Sequence, residues 1–172
     1  MTQASRMLAI FDGSRVAYGS TKIKRVGRNG KTEADSWIVR DPLTEEAMQK
    51  HLDGSLGVGS IPIDEENACR FGCIDIDVYD LDHKQLQQKI TQLKFPLSHC
   101  RSKSGGAHLY LFLNQKESAA VVREFLTEMS IALGFSGSEI FPKQDTILSD
   151  QGDVGNFINL PYFKADETLR YC

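Results

Sequence analysis

Apolar residues recur along this chain with two periods, and the clearer pattern lies in its second half. Phe71–Val78 is almost continuously apolar except for two acids, which predicts a strand. Strand alternation sends Ile74, Ile76 and Val78 to one face and Cys73, Asp75 and Asp77 to the other. Lys84–Lys94 carries Leu86, Ile90 and Leu93 at helical spacing. Leu97–Arg101 and Ala107–Leu113 are β by composition, the latter with Leu109, Leu111 and Leu113 on its inward face. Ser118–Gly134 predicts a second helix that buries Val121, Val122, Phe125, Met129, Ala132 and Leu133. Glu139–Phe141 and Asn156–Leu160 close the series as short strands.

The first third is more mixed. Met7–Phe11 reads as a short apolar strand, and Tyr18–Val39 alternates like a hairpin around Asn29-Gly30, a strong type I′ turn pair. Thr44 followed by Glu45-Glu46 is a helix start, with Ala47, Met48 and Leu52 as its stripe. Glycines at 54, 57 and 59 then break regularity. The expectation is an α+β protein with a small N-terminal α/β module over residues 1–60. Residues 61–172 follow as a βαββαβ, ferredoxin-like sheet whose helices cover one face and leave the other open to a ligand.

Composition changes this picture little. Of 172 residues, 41% are hydrophobic and 25% charged, as in ordinary globular domains. No apolar run approaches the roughly 20 residues of a membrane span, and the first ten residues lack a signal peptide's apolar core. A cytoplasmic protein without membrane association is expected. The net charge of −3 does not advertise nucleic-acid binding, but its distribution does. Arg15, Lys22, Lys24, Arg25, Arg28 and Lys31 fall between Gly13 and Thr32 with no acid among them. Such a patch holds a phosphate backbone, or is simply a solvated hairpin. Cys69, Cys73, Cys100 and Cys172 are expected as small buried thiols. A zinc site with His83 or His99 is disfavoured by the spacing, and a cytosolic setting disfavours disulfides.

The chemistry concentrates on the two acids. Aspartate is a poor strand former, and Asp75 and Asp77 lie roughly 6.6 Å apart along one face. Like charges at that spacing repel unless cations offset them, and two divalent ions about 3.5–4 Å apart suit such a pair. The alternative is a strand whose polar face meets water. Downstream, Arg101, Lys103, Ser104, Gly105 and Gly106 form a basic, glycine-rich turn able to approach an anion closely. His108 heads the strand that follows, suited to a phosphate contact or proton transfer. Tyr110 and Phe112 share its face, as a stacking platform for a base or as plain packing. Glu139 projects opposite Ile140, and a strand beside the acidic one makes it a third carboxylate. Lys143 then meets a phosphate as a point charge. Asn159 is placed to hydrogen-bond a sugar or base, whereas Asn156 reads as a turn residue.

Taken in order, Asp75-Ile-Asp77, Ser104-Gly-Gly-Ala-His108, Glu139-Ile-Phe-Pro-Lys-Gln144 and Gly155-Asn-Phe-Ile-Asn-Leu-Pro161 resemble the archaeo-eukaryotic primase superfamily. The chain is most similar to the primase-polymerases of mobile elements, CRISPR-associated loci and TOTE conflict systems. The resemblance implies an RRM-like catalytic sheet. It implies that Asp75, Asp77 and Glu139 are catalytic, metal-binding acids for two Mg²⁺ or Mn²⁺ ions. It also implies that Ser104, Gly105, Gly106, His108, Lys143 and Asn159 bind the incoming nucleotide. Arg101, Lys103, Lys22, Lys24, Arg25 and Arg28 become nucleic-acid contacts. Many relatives have Asp as the third acid, where this chain has the longer Glu139.

The expected activity is template-dependent joining of NTPs or dNTPs, as in a DNA primase-polymerase. Single-stranded DNA template and primer are the expected partners, in a bacterial, phage or mobile-element setting. The chain ends at Leu169-Arg-Tyr-Cys172, and is expected to be a fragment of a longer protein with a helicase or accessory C-terminal domain. Two alternatives use the same residues: a metal-dependent nuclease, and a non-catalytic RRM-like nucleic-acid-binding domain.

Overall fold

A computed structural model describes residues 1–26 and 32–172, with side chains at 1–22 and 34–172. Among the described residues, two four-stranded antiparallel sheets and four α-helices make up the fold. The chain opens on helix α1 (Gln3–Ile10), where a strand was expected. Two features account for this. Thr2 caps the helix by accepting from the Ser5 N–H at 3.0 Å. Ala4, Met7 and Phe11 are buried at i, i+3 and i+7, a helical period rather than an alternating one.

Strands β1 (Tyr18–Val26) and β2 (Thr32–Val39) pair as the expected hairpin; its Asn29-Gly30 turn, with Arg28 and Lys31, lies outside the described residues. Helix α2 (Glu45–Leu52) is capped by Thr44 and is followed by β3 (Gly57–Ser60). Strand β4 (Ala68–Ile76) begins the second sheet, followed by α3 (His83–Gln92), β5 (Leu97–Arg101), β6 (Ala107–Ser118), α4 (Ala119–Leu133) and β7 (Glu139–Phe141). Their spatial order is β5-β6-β4-β7, the βαββαβ arrangement expected from the sequence. The last strand, β8 (Ile158–Asn159), turns back to the first sheet, whose order is β2-β1-β3-β8.

Helix boundaries follow local chemistry. Ser118 accepts from the Val121 N–H to start α4, and Gly134 ends it at φ 89°, the left-handed conformation a C-terminal glycine tolerates. Lys89 of α3 donates to the Leu133 carbonyl at 2.9 Å, supplying a cation where the helix dipole is negative. The buried stripe of α4 is Val122, Leu126, Met129 and Leu133. Val121, Phe125 and Ala132, expected inside, face solvent instead. The stripe follows 3.6 residues per turn, so Leu126 rather than Phe125 continues from Val122. Leu93 of the preceding helical segment is likewise exposed.

The β4 sheet carries a core on each face. On one side Ile74, Ile76, Leu109 and Leu111 pack against Leu86, Ile90, Val122 and Leu126. The other face, expected to be open, is covered. Phe71, Cys73, Tyr110 and Phe141 pack against Met7, Phe11, Met48, Val58 and Ile158. This follows from the strand itself, because the residues on that face stay apolar until Asp75 and have to be buried. A β-bulge between Cys69 and Phe71 turns Cys69 toward the helices and Phe71 toward the other core. No helix among the described residues is long and apolar enough to cross a membrane.

Candidate active site

At the end of the β4 sheet the covering layer stops and the face becomes polar. Asp75 on β4 stands directly opposite His108 on β6 and Glu139 on β7. Cys100 on β5 stands opposite His108 in turn, so one row crosses all four strands. Directly opposite residues project to the same face of a sheet. Pairing thus brings together three residues that lie up to 64 positions apart in the chain. Two residues beyond Asp75, Asp77 accepts from the Ser104 hydroxyl at 3.0 Å. A cleft of about 570 Å³ runs from Asp75, Asp77 and Glu139 along the loop at 134–138.

His108 is oriented by a relay that begins in the other sheet. Tyr110 donates its hydroxyl proton to the Asn159 carbonyl at 3.0 Å. Its oxygen also lies 3.2 Å from His108 Nδ1. A hydroxyl has one proton to give, so the proton in this second bond belongs to the imidazole. Nδ1–H therefore donates, and Nε2 turns to Asp75 Oδ1 at 3.4 Å. A neutral imidazole so held presents a lone pair to a carboxylate. A proton on Nε2, or a cation between the groups, removes that repulsion. Tyr110 is fully buried, and burial, followed by Cys73 and Asp75, pushes its hydroxyl pKa well up, so it keeps its proton. The stacking platform is thereby corrected: Tyr110 lies in the core beneath Phe11, with ring centroids 5.1 Å apart. Phe112 is partly exposed.

The glycine turn closes against β4. A Cβ on Gly106 would lie 2.0 Å from the Ile76 carbonyl oxygen, and Gly105 has φ +94°. The Gly105 N–H is spent on the Ser102 carbonyl. Beneath the turn, His83 Nε2 donates to the Gly105 carbonyl at 2.8 Å, and His83 Nδ1 faces His99 Nε2 at 3.0 Å. Burial, then His83, lowers the His99 pKa to about 4. From sequence alone, His83 and His99 stood out only as zinc candidates, since the turn that His83 supports is distant from it in the chain.

The remaining predicted residues are distributed as follows. Glu139 is exposed and ion-paired with Lys143 at 2.9 Å, so these two meet each other first. The Asn159 side chain accepts from Thr21 at 3.1 Å while its backbone carbonyl holds Tyr110, placing it between the sheets. Arg101 and Lys103 are exposed at the turn between β5 and β6. Lys22 is exposed on β1; Lys24 and Arg25 are described by their backbone in the same strand. The cysteine expectation fails for one pair, since Cys100 and Cys172 form a disulfide. Their sequence separation of 72 hid what the fold brings together. Cys69 and Cys73 are free and buried.

As a metal site the donor set is hard. Carboxylate oxygens with one imidazole suit Mg²⁺ or Mn²⁺ rather than a thiophilic ion. Among the described residues no three such groups already converge closely enough to hold an ion, and Glu139 is ion-paired with Lys143.

A ferredoxin-like sheet with paired acids, a histidine and a glycine turn at one end is compatible with a primase-type domain. The chain belongs to a family described as the archaeo-eukaryotic primase domain of TOTE conflict systems, whose profile matches residues 19–171. No curated protein matches it.

Proposed function

We propose that this domain is a template-directed nucleotidyltransferase that extends a primer on single-stranded DNA. The observation that carries the reading is the row His108–Asp75–Glu139 across β6, β4 and β7, with Ser104 tying the glycine turn to Asp77. In this reaction the 3′-hydroxyl of a primer loses its proton to solvent water and attacks the α-phosphate of a nucleoside triphosphate. A new P–O bond forms, the bond to the β-phosphate breaks, and pyrophosphate leaves.

Asp75 and Asp77 would hold two Mg²⁺ or Mn²⁺ ions, with Glu139 joining once Lys143 releases it. Bound there, such ions lower the pKa of the attacking hydroxyl and offset charge on the leaving group. His108, fixed by Tyr110, presents Nε2 beside Asp75 and donates from it to a phosphate oxygen when protonated. Ser104 can trade its bond to Asp77 for one to the polyphosphate. Lys143, freed from Glu139, becomes available to the same anion.

Primer extension with labelled NTPs and dNTPs tests this. Asp75→Ala and Asp77→Ala should each abolish incorporation while leaving the circular dichroism spectrum unchanged. Extension retained by either variant refutes the assignment. A nuclease would use the same acids without needing a triphosphate site, so strand cleavage without nucleotide binding favours it. The non-catalytic RRM-like reading loses its main support from packing, since Phe71 and Tyr110 are buried under α1 and α2 rather than offered to bases.

A further inference from the structure

The C-terminal segment crosses the edge of the catalytic sheet, where several bonds hold it. The Arg101 N–H donates to the Tyr171 carbonyl at 2.9 Å, and the Tyr162 N–H donates to the Arg170 carbonyl at 2.7 Å. The Arg170 N–H donates to the Thr168 hydroxyl at 3.0 Å. Cys172 is joined to Cys100, the residue standing opposite His108. Arg170 is thus fixed at its own N–H and carbonyl, and by a covalent link two residues on. A segment so constrained presents its side chain at a set place and loses little entropy when that side chain binds.

We propose that Arg170 is a phosphate-binding residue that, with Lys103, takes up the polyphosphate of the incoming nucleotide. The proposal rests on the nucleotidyltransferase reading and adds to it a residue outside the motifs that carried it. Its guanidinium is half-buried against Phe163, 4.9 Å from the ring centroid. Half-buried arginines are normally paired, yet among the described residues no carboxylate forms an ion pair with Arg170, Lys103 or Arg101. Two cations at the hairpin turn and a third on the segment bonded to it, none ion-paired with an acid among the described residues, leave a place for an oxyanion.

Position favours a nucleotide polyphosphate over a strand phosphate. Lys103 precedes Ser104, whose hydroxyl sits on Asp77, and Cys100 neighbours His108. With the α-phosphate at the acids, the β- and γ-phosphates extend toward this turn. Partial desolvation, then Arg170, lowers the Lys103 pKa. The two cations therefore feel each other, and an anion between them relieves both. A planar guanidinium over an aromatic ring is already oriented for two-point contact with phosphate oxygens.

The test is titration calorimetry of the purified protein with inorganic tripolyphosphate in the absence of divalent metal, and separately with a short single-stranded DNA. Arg170→Met keeps the stem over Phe163 and removes the charge. It should weaken tripolyphosphate binding roughly tenfold and leave DNA binding within about twofold. Unchanged tripolyphosphate affinity overturns the proposal, as does a loss confined to DNA or equal for both ligands. Should Arg170→Met fail to fold, Lys103→Met on the exposed turn serves in its place, and its indifference to tripolyphosphate is equally fatal. Tripolyphosphate binding that depends on both cations, in a wild-type protein that incorporates no nucleotide, would sink the polymerase reading and leave the anion site. Incorporation that continues with both cations neutralised and affinity unchanged would do the reverse.

Discussion

Replacing Tyr110 with Phe removes a single oxygen atom, and the relay makes that atom consequential. The hydroxyl is the acceptor for His108 Nδ1–H at 3.2 Å and the donor to the Asn159 carbonyl at 3.0 Å. Tyr110 has no exposed surface, so water does not readily replace either bond. Each net hydrogen bond contributes about 1 kcal/mol, and each stranded partner costs about 1–3 kcal/mol more. Asn159 is half-buried and His108 keeps a little exposed surface, so part of that cost is recovered and a total on the order of 2–4 kcal/mol is expected. For a domain of this size that is a fall in Tm of roughly 4–16 °C, measured by differential scanning calorimetry.

The functional effect is separate. Without an acceptor at Nδ1, His108 no longer has its tautomer fixed, and Nε2 loses its aim at Asp75. Nucleotide KM in primer extension should rise, by about tenfold if one well-oriented charged contact is lost. Leu126→Ala on the far side of the sheet is the control. It costs about 2–5 kcal/mol by cavity formation and touches no polar group of the site. Tyr110→Phe and Leu126→Ala giving the same nucleotide KM would refute the relay, as would an unmoved Tm in Tyr110→Phe.

Three other outcomes follow from the same geometry. Burial lowers the pKa of His51, which has no exposed surface, from 6.5 to about 4. The unfolded chain takes up a proton below 6.5 that the folded protein refuses until about 4, so stability falls as pH drops through that window. Urea unfolding should show about 2 kcal/mol less stability at pH 5 than at pH 7, with His99 adding in the same direction; equal stability at both would contradict the buried neutral His51. Gly106→Ala drives a Cβ into the Ile76 carbonyl and should cost about 1–3 kcal/mol together with nucleotide affinity, whereas Gly137→Ala, with open space around it, should leave Tm unchanged. Mn²⁺ at ten times its Kd should stabilise the wild type by about 1.4 kcal/mol, and Asp75→Asn should erase that shift; an equal shift in the variant means the ion binds elsewhere.

How much of this was legible in the sequence depended on how local each signal was. The strand carrying Asp75, the βαββαβ order and the Ser118 and Gly134 helix limits are near-neighbour patterns, and they reappear in the structure; the strand stops at Ile76, however, so Asp77 lies just past its end and Val78 is exposed. The row His108–Asp75–Glu139 needed only the fold order to be foreseen. Met7–Phe11 misled because five apolar-rich residues fit either period, and the Thr2 cap settles the matter from outside that window. The covered face was missed because apolar residues at Phe71, Cys73 and Tyr110 do not say which distant helices will meet them. The disulfide, the role of Tyr110 and the place of Arg170 are all long-range. They join positions 49 to 72 residues apart, or draw on a segment whose own pattern carries no periodic signal.

Strand β8 is two residues long and adds little buried area, yet it sets a schedule for the molecule. In chain order β4 to β7 are complete at Phe141, and every residue of the row has by then been passed. His108 is not yet aimed, because the carbonyl that engages Tyr110 belongs to Asn159. That carbonyl arrives only when β8 docks beside β3, a strand made about a hundred residues earlier. The aim of His108 is therefore a property of both sheets together, and neither one alone supplies it.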